Sequence, residues 1–238
     1  MDNLNFNSSE CASANKIFKW FNTDTEELYL KNLAVRHSLL SSNGWIGSSF
    51  TYKINSKGFR CDEFLGEDNI MIVGCSNTFG VGLPLANTWA QIVARQVNLR
   101  CANLAQPAAG LDTAFRLGLG WIAKLKPKIV VLCCPPLGRF EYVTKEEVNL
   151  LGWWSQKTPG PLAVYYKTMV IDENNIGLNA QKNILALEQL SYQHNAKFIS
   201  VHFNDIRSSD PYSFARDLIH PGVNANKIFA QKLINIIS

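Results

Sequence analysis

Two places in the 238-residue sequence hold residue types able to do chemistry together. The first is Gly74-Cys75-Ser76-Asn77-Thr78-Phe79-Gly80, a polar, glycine-bounded turn directly after the apolar run Met71-Ile72-Val73. The second is Asp217-Leu218-Ile219-His220, followed at once by Pro221-Gly222. A carboxylate three residues from an imidazole can fix the ring's tautomer and stabilise the imidazolium formed when it takes a proton. Such a base needs a nucleophile to deprotonate, and Ser76 supplies a hydroxyl. The turn by itself admits four readings: a phosphate cradle of backbone N–H groups, a reactive Cys75, a nucleophilic Ser76, or a turn whose Ser and Asn cap the next helix. No Lys-Ser or Lys-Thr follows Gly80 or Gly82, and no GxGxxG occurs here, so the Walker and dinucleotide patterns are absent. A flavodoxin-like flavin phosphate loop stays open on the Ser/Thr/Asn content. Cys75 and Ser76 are neighbours, so their side chains diverge and only one can face His220.

The elements around these residues must bring them together. Asn69–Gly74 reads as a buried strand, 88–97 as a helix, 100–105 as a second short strand and 112–125 as a second helix. Residues 128–134 hold a continuous apolar run rich in β-branched residues, as expected for a strand covered on both faces, which Pro135-Pro136 terminate. A helix from Leu178 to His194 leads to a fourth strand at 197–203, and a helix over 224–237 closes the chain. Strands separated by helices predict βαβ units and a parallel sheet, whose ligand site lies beyond the carboxyl ends of the strands. The loop before the last helix can reach the same edge as the turn after the first strand. Ahead of this unit, 15–40 has helical spacing and the stretch from Asn43 to Phe64 reads as a loop with short extended pieces. The expected organisation is one α/β domain over 69–238 with an N-terminal helical extension and lead-in loop over 1–68.

The net charge of +4 is modest and no Lys/Arg run is concentrated, which argues against nucleic-acid binding. No apolar stretch is long enough to span a bilayer, and the N-terminus lacks a secretory signal pattern. Six cysteines show neither CxxC spacing nor a disulfide framework, so a reduced, cytoplasmic site of synthesis is expected; a virion component or a protein released by lysis would read the same. No zinc-ligand spacing appears, so no metal is expected. Cys133 and Cys134 read as core, and His202 as a structural strand-end residue. Arg139 and Glu141, two apart, either pair with each other or touch substrate. Trp153 and Trp154 lie in the aromatic connection 150–166, which suits either a sugar ring over the site or a lid packed on the domain.

Taken together, "GCSNTFGVG" (74–82), "NLAQPAAGLDT" (103–113) and "DLIHPG" (217–222) resemble, in order, three blocks of the SGNH/GDSL hydrolases, serine esterases on a flavodoxin-like three-layer α/β/α fold. "YKINSKGFR" (52–60) resembles a lead-in seen before such domains. The resemblance spans roughly 69–238 and implies Ser76 as nucleophile, His220 as general base and Asp217 as its orienting carboxylate. It implies an oxyanion hole from the N–H groups of Ser76 and of the Ala108–Gly110 turn. It calls for no cofactor and for a small-molecule or carbohydrate ester as substrate, O-acetyl groups by preference. Asn77, Arg139, Glu141, Trp153 and Trp154 are the candidate substrate contacts. Three positions depart from the family. Cys75 stands where an Asp is usual, Ala108 where the second block has Gly, and "CCPPLGRFE" (133–141) where the third block has Gly-x-Asn-Asp. The last removes an oxyanion donor, for which Arg139 or an amide near Leu137–Gly138 is the available substitute. A catalytically weak binding or structural module, phage-associated, and a flavodoxin-like cofactor binder are the alternative expectations.

Overall fold

The computed structural model describes residues 14–66, 68–144, 148–157, 160–170 and 172–237. Cys11 and residues 1–13 of the N-terminal stretch read for a signal lie outside the described residues. A two-residue antiparallel pair, β1 (Ile17–Phe18) with β2 (Tyr52–Lys53), brackets helices α1 (Glu26–Val35) and α2 (His37–Ser42). The helical spacing over 15–40 is therefore realised only from Glu26. Asn22 sits in the left-handed region (φ 57), Phe21 bridges Asp24, and the Thr25 side chain caps α1 by accepting the Leu28 amide at 3.1 Å.

Then come β3 (Asn69–Val73), the one-turn helix α3 (Ser76–Phe79), α4 (Trp89–Gln96), β4 (Arg100–Asn103), α5 (Leu111–Leu125) and β5 (Ile129–Cys134). An antiparallel ladder of β6 (Phe140–Val143) and β7 (Val148–Leu151) follows, which the sequence reading did not contain. Short helix α6 (Pro161–Tyr165), long helix α7 (Glu173–Gln193), β8 (Lys197–His202), α8 (Phe203–Ser209) and α9 (Val223–Ile237) complete the chain. Helix α7 begins before the expected Leu178 because Asp172 caps it, its Oδ1 accepting from Asn174 N and Asn175 N.

The expected parallel sheet is present, with strand order β4-β3-β5-β8 and every neighbour parallel. Side chains alternate across it. Met71, Val73, Val130 and Leu132 pack with Leu117, Ile122 and Leu187 of α5 and α7; Ile70, Ile72, Val131 and Cys133 pack with Trp89, Val93 and Phe229 of α4 and α9. The result is a three-layer α/β/α sandwich. From β3 the chain runs first to β4 on one side and then to β5 on the other. The carboxyl ends of β3 and β5 therefore flank a topological switch point, where such sheets leave a crevice. A cavity of about 510 Å³ lined by Asn69, Gln91, Arg95 and Arg100 lies at the opposite, amino-terminal edge of β3 and β4.

Candidate active site

Ser76 is the first residue of α3, immediately beyond the end of β3, and both Ser76 and Asn77 are half-buried. The strand-to-helix turn is tight: a Cβ at Gly74 would meet Thr78 Oγ1 at 2.5 Å and the Cys133 carbonyl at 3.0 Å. Gly80, at φ 82, ends the helix with its N–H on the Ser76 carbonyl at 2.9 Å. Two side chains hold the turn from outside. Buried Arg60 donates through Nη1 to the Phe79 and Gly80 carbonyls (3.0 and 2.6 Å) and through Nη2 to Leu83 O (2.6 Å). Burial lowers the Arg60 pKa to about 10, so it remains charged at neutral pH. Asn103, at the end of β4, donates to Thr78 O at 2.9 Å and accepts the Ala105 amide at 3.1 Å.

Asp217 and His220 occupy the loop before α9, and that loop packs on the exit from α3. Arg216 N donates to Gly82 O at 3.0 Å, and a Cβ at Gly82 would meet Ala215 Cβ at 2.8 Å and Asp217 N at 3.3 Å. The loop closes on itself through Ala215 N to His220 O (2.9 Å) and Gly222 N to Ser213 O (2.8 Å). A Cβ at Gly222 would sit 2.6 Å from the Phe214 backbone, so the glycine after His-Pro is needed for closure. Leu218 takes φ 55, a strained conformation for a γ-branched residue, and directs the chain so that the carboxylate folds back on the ring. Asp217 Oδ2 lies 2.6 Å from His220 Nδ1, with the Asp side chain wholly buried and the His side chain 10% exposed. Asp217 Oδ1 accepts the amides of Ile219 and His220, each at 3.0 Å. Burial pushes the Asp217 carboxyl up, but the bonds from the His220 ring and from the two amides outweigh it and hold the carboxyl below its ordinary range. With Nδ1–H committed to the carboxylate, Nε2 is the ring's free basic atom. The Asp217–His220 half of the constellation is thus formed, while no hydrogen bond joins Ser76 Oγ to the ring among the described residues.

Ala108 is half-buried at φ 67, the left-handed region that glycine favours, so the departure from Gly falls at a position of real backbone constraint. Gly110 precedes α5, and a Cβ there would overlap the Arg139 carbonyl. This close approach brings the 108–110 turn against the segment after β5. Glu141 does not pair with Arg139. Its carboxylate binds Arg116 of α5 through two bonds, Nε to Oε1 at 2.6 Å and Nη2 to Oε2 at 3.1 Å, with both side chains at most 5% exposed. Glu141 therefore takes the structural role, with a partner other than the expected one. Arg139 Nη1 is buried without a hydrogen-bond partner, and its guanidinium lies 5.7 Å from the Trp154 ring. Trp154 donates to Leu150 O at 3.3 Å and packs beside Gly152, whereas Trp153 is 60% exposed and meets Trp154 edge-on at 6.2 Å.

The remaining candidates take structural places. His202 caps α8, its Nδ1 accepting Asn204 N while Asp205 accepts the His202 amide. Cys75, Cys133 and Cys134 are buried, and burial pushes the Cys133 and Cys134 thiols up, away from thiolate chemistry. The five described cysteines are unpaired. Among the described residues no cluster of His, Cys, Asp or Glu is disposed to hold a metal, and no helix is long and apolar enough to cross a membrane. Sequence reasoning missed Thr23 and Asn32, which donate to Asp217, and the pair Asp24–Arg216, whose arginine is the chain neighbour of Asp217. Polar residues of these types carry no local pattern that marks a partner so distant in the chain.

No family model and no curated protein matches the sequence. Among solved structures the chain is similar to TesA, at 12% identity and TM-score 0.49, covering 71% of this chain and 98% of that one. It is also similar to the acetyl xylan esterase Est2A from the rumen bacterium Butyrivibrio proteoclasticus (10% identity, 80% of this chain, 66% of that chain, TM-score 0.48). A third similar structure is the psychrotrophic esterase EstA from Pseudoalteromonas sp. (14% identity, 71% of this chain, 96% of that chain, TM-score 0.37).

Proposed function

We propose that the protein is a serine esterase of SGNH/GDSL type that hydrolyses carboxylic esters through an acyl-enzyme. The observation that carries this reading is the buried 2.6 Å Asp217–His220 pair, seated at the carboxyl edge of a parallel sheet beside the turn that begins at Ser76. In the first half-reaction His220 Nε2 takes the Ser76 proton as Oγ bonds to the acyl carbon. The N–H groups of Ser76 and of the 108–110 turn bind the oxyanion. Collapse breaks the bond to the alcohol, which leaves with the proton from His220. Water then repeats the sequence, giving its proton to His220 and its hydroxyl to the acyl carbon, and Ser76 regains its proton as the acid departs. The reaction needs a hydrogen bond from Ser76 Oγ to His220 Nε2, which is not formed among the described residues; catalytic hydrogen bonds of this kind often tighten only in the complex with substrate. The preferred substrate is a short acyl ester, O-acetyl on a carbohydrate, which exposed Trp153 and the adjoining Trp154 would meet as a stacking platform.

A second reading, a binding or structural module without turnover, draws on the absent third-block donor and on the buried Arg139 Nη1, which has no hydrogen-bond partner. A fluorophosphonate probe separates the two. Labelling that is lost in Ser76→Ala, together with hydrolysis of p-nitrophenyl acetate lost in the same variant, is the expected result. Folded protein that neither labels nor hydrolyses any member of a panel of p-nitrophenyl esters and acetylated sugars would overturn it.

A further inference from the structure

Asp217 Oδ2 receives two donors. One is His220 Nδ1; the other is the Thr23 hydroxyl at 2.7 Å, from a residue 194 positions earlier in the chain. Thr23 belongs to the turn ahead of α1, outside the α/β/α layers. Its neighbour Asp24 is equally engaged with the same loop. Arg216 donates to Asp24 through Nε (3.0 Å to Oδ1) and Nη2 (2.6 Å to Oδ2), and both side chains are 1% exposed. Tyr52 then donates to Asp24 Oδ2 at 2.6 Å and accepts the Gly82 amide at 2.8 Å. Asn32 of α1 donates to the Asp217 carbonyl at 3.3 Å. Residues 23 and 24 thus grip 217 and 216 side by side, and the grip extends to the exit of the Ser76 helix. The other charged groups around the loop have different commitments. Arg207 of α8 binds the Ile219 carbonyl, and the Lys19 ammonium lies 3.9 Å from Glu26 Oε1.

An ionised carboxylate has room for about four donors. Asp217 has four: two amides on Oδ1, and Thr23 with His220 on Oδ2. The amides alone fix Oδ1 and leave the far oxygen dependent on its two side-chain partners. We propose that Thr23 is a positioning residue of the hydrolytic site. Its hydroxyl holds Asp217 Oδ2 where it receives His220 Nδ1–H, and so fixes the tautomer that leaves Nε2 free to take the Ser76 proton. This inference rests on the esterase reading for its consequence in turnover, but not for its consequence in the ring.

Thr23→Val removes the donor at nearly constant shape, and Thr23→Ser keeps it; Thr23→Ala replaces the valine variant if that one does not fold. Two readouts are compared with wild type: kcat and KM for p-nitrophenyl acetate, and the imidazole 1H–15N correlation spectrum, with His220 assigned by its loss in His220→Gln. By analogy with the hydrogen-bond partners that orient metal-bound histidines, removing the Thr23 donor is expected to lower activity about 10- to 100-fold, the loss falling in kcat with KM within about two-fold. Thr23→Ser stays close to wild type. In the spectrum, wild type shows the single Nδ1–H tautomer with a downfield proton, and Thr23→Val shows that proton moved upfield with the second tautomer populated. If the serine and valine variants lose activity equally, or if the valine variant leaves the His220 resonances in place, the positioning role is overturned. The spectrum needs no turnover. A moved resonance in a protein that hydrolyses no ester sustains the role of Thr23 and sinks the esterase reading, whereas an unmoved one beside Ser76-dependent hydrolysis does the reverse.

Discussion

Asp217 couples the chemistry of the site to its pH dependence. Its folded-state carboxyl lies below the ordinary value of 3.8, because the bonds it accepts outweigh the burial that pushes it up. A group whose folded value is depressed contributes stability that is present above the unfolded value and is lost as pH falls through the folded one. The Asp217 contribution is therefore expected in full at neutral pH and should fade only below pH 3.8, the ordinary value. Asp217→Asn removes it: the gap in urea midpoint between wild type and variant, compared at pH values below the range in which the neighbouring imidazole takes its proton, should shrink as the pH falls below 3.8. A gap that persists unchanged in acid would show that packing, not charge, sets it. The same variant offers His220 a donor as readily as an acceptor, so the wrong tautomer becomes available, and kcat for ester hydrolysis should fall by about 10³–10⁴. The Asp217–His220 pair was legible in the sequence because a carboxylate three residues before an imidazole carries meaning by its spacing, and Ser76 was legible as the hydroxyl proposed for it. Thr23 was not, since a threonine before a helix reads only as a cap or a turn. Glu141 was legible as an ion-pair partner but not as the partner of Arg116, which lies on another element.

Helix α3 is a single turn of four residues, too short to stand on its own hydrogen bonds. Its position comes from what surrounds it: Gly74 and Gly80 at its ends, Asn103 on the Thr78 carbonyl, and Arg60 beneath the Phe79, Gly80 and Leu83 carbonyls. Arg60→Met removes the guanidinium that lies over the Tyr52 and Phe79 rings and strands two buried acceptors, the Phe79 and Leu83 carbonyls, while Gly80 O keeps the Leu83 amide. At about 1–3 kcal/mol for each buried group left unsatisfied, a loss of about 2 kcal/mol or more is expected in urea unfolding. A loss under about 1 kcal/mol would mean that water replaces the guanidinium and that the clamp is dispensable. The strands of the sheet were readable from their buried, β-branched runs, and so was the parallel order from the helices between them. The β6–β7 ladder was not. Its segments are short and half-exposed, and its pairing is set by Phe140 opposite Leu151 rather than by any run of apolar residues. The helix start at Glu173 was missed for a different reason. The apolar periodicity that marks a helix begins only at Ile176 and Leu178, after the Asp172 cap and a polar first turn.

The described part of the N-terminal segment shares its apolar contacts with the α/β layers. Phe59 and Cys61 lie in the same cluster as Met71, Val73 and Trp121; Leu40 and Trp45 pack with Leu83, Ala215 and Leu218; Tyr52 and Ile54 pack with Phe79 and Val81. Folding of the segment and folding of the sheet should therefore be one event, and the Asp24–Arg216 pair tests this because it joins the two across 192 positions of sequence. Both side chains are 1% exposed, so removing one partner leaves a buried charge unpaired, at a cost of about 3–5 kcal/mol. Asp24→Asn is expected to lower the urea midpoint accordingly in a single transition, with tryptophan fluorescence and far-UV dichroism changing together. Replacing both partners, Asp24→Asn with Arg216→Met, removes the stranded charge as well as the pair, and the double variant should recover part of the stability lost in the single one. Two transitions in Asp24→Asn, the first at low urea with the sheet still intact, would show instead that the N-terminal segment docks on a core already folded. In that case Thr23 would reach Asp217 only in the docked state, and ester hydrolysis should be lost across the first transition while the far-UV signal of the sheet remains.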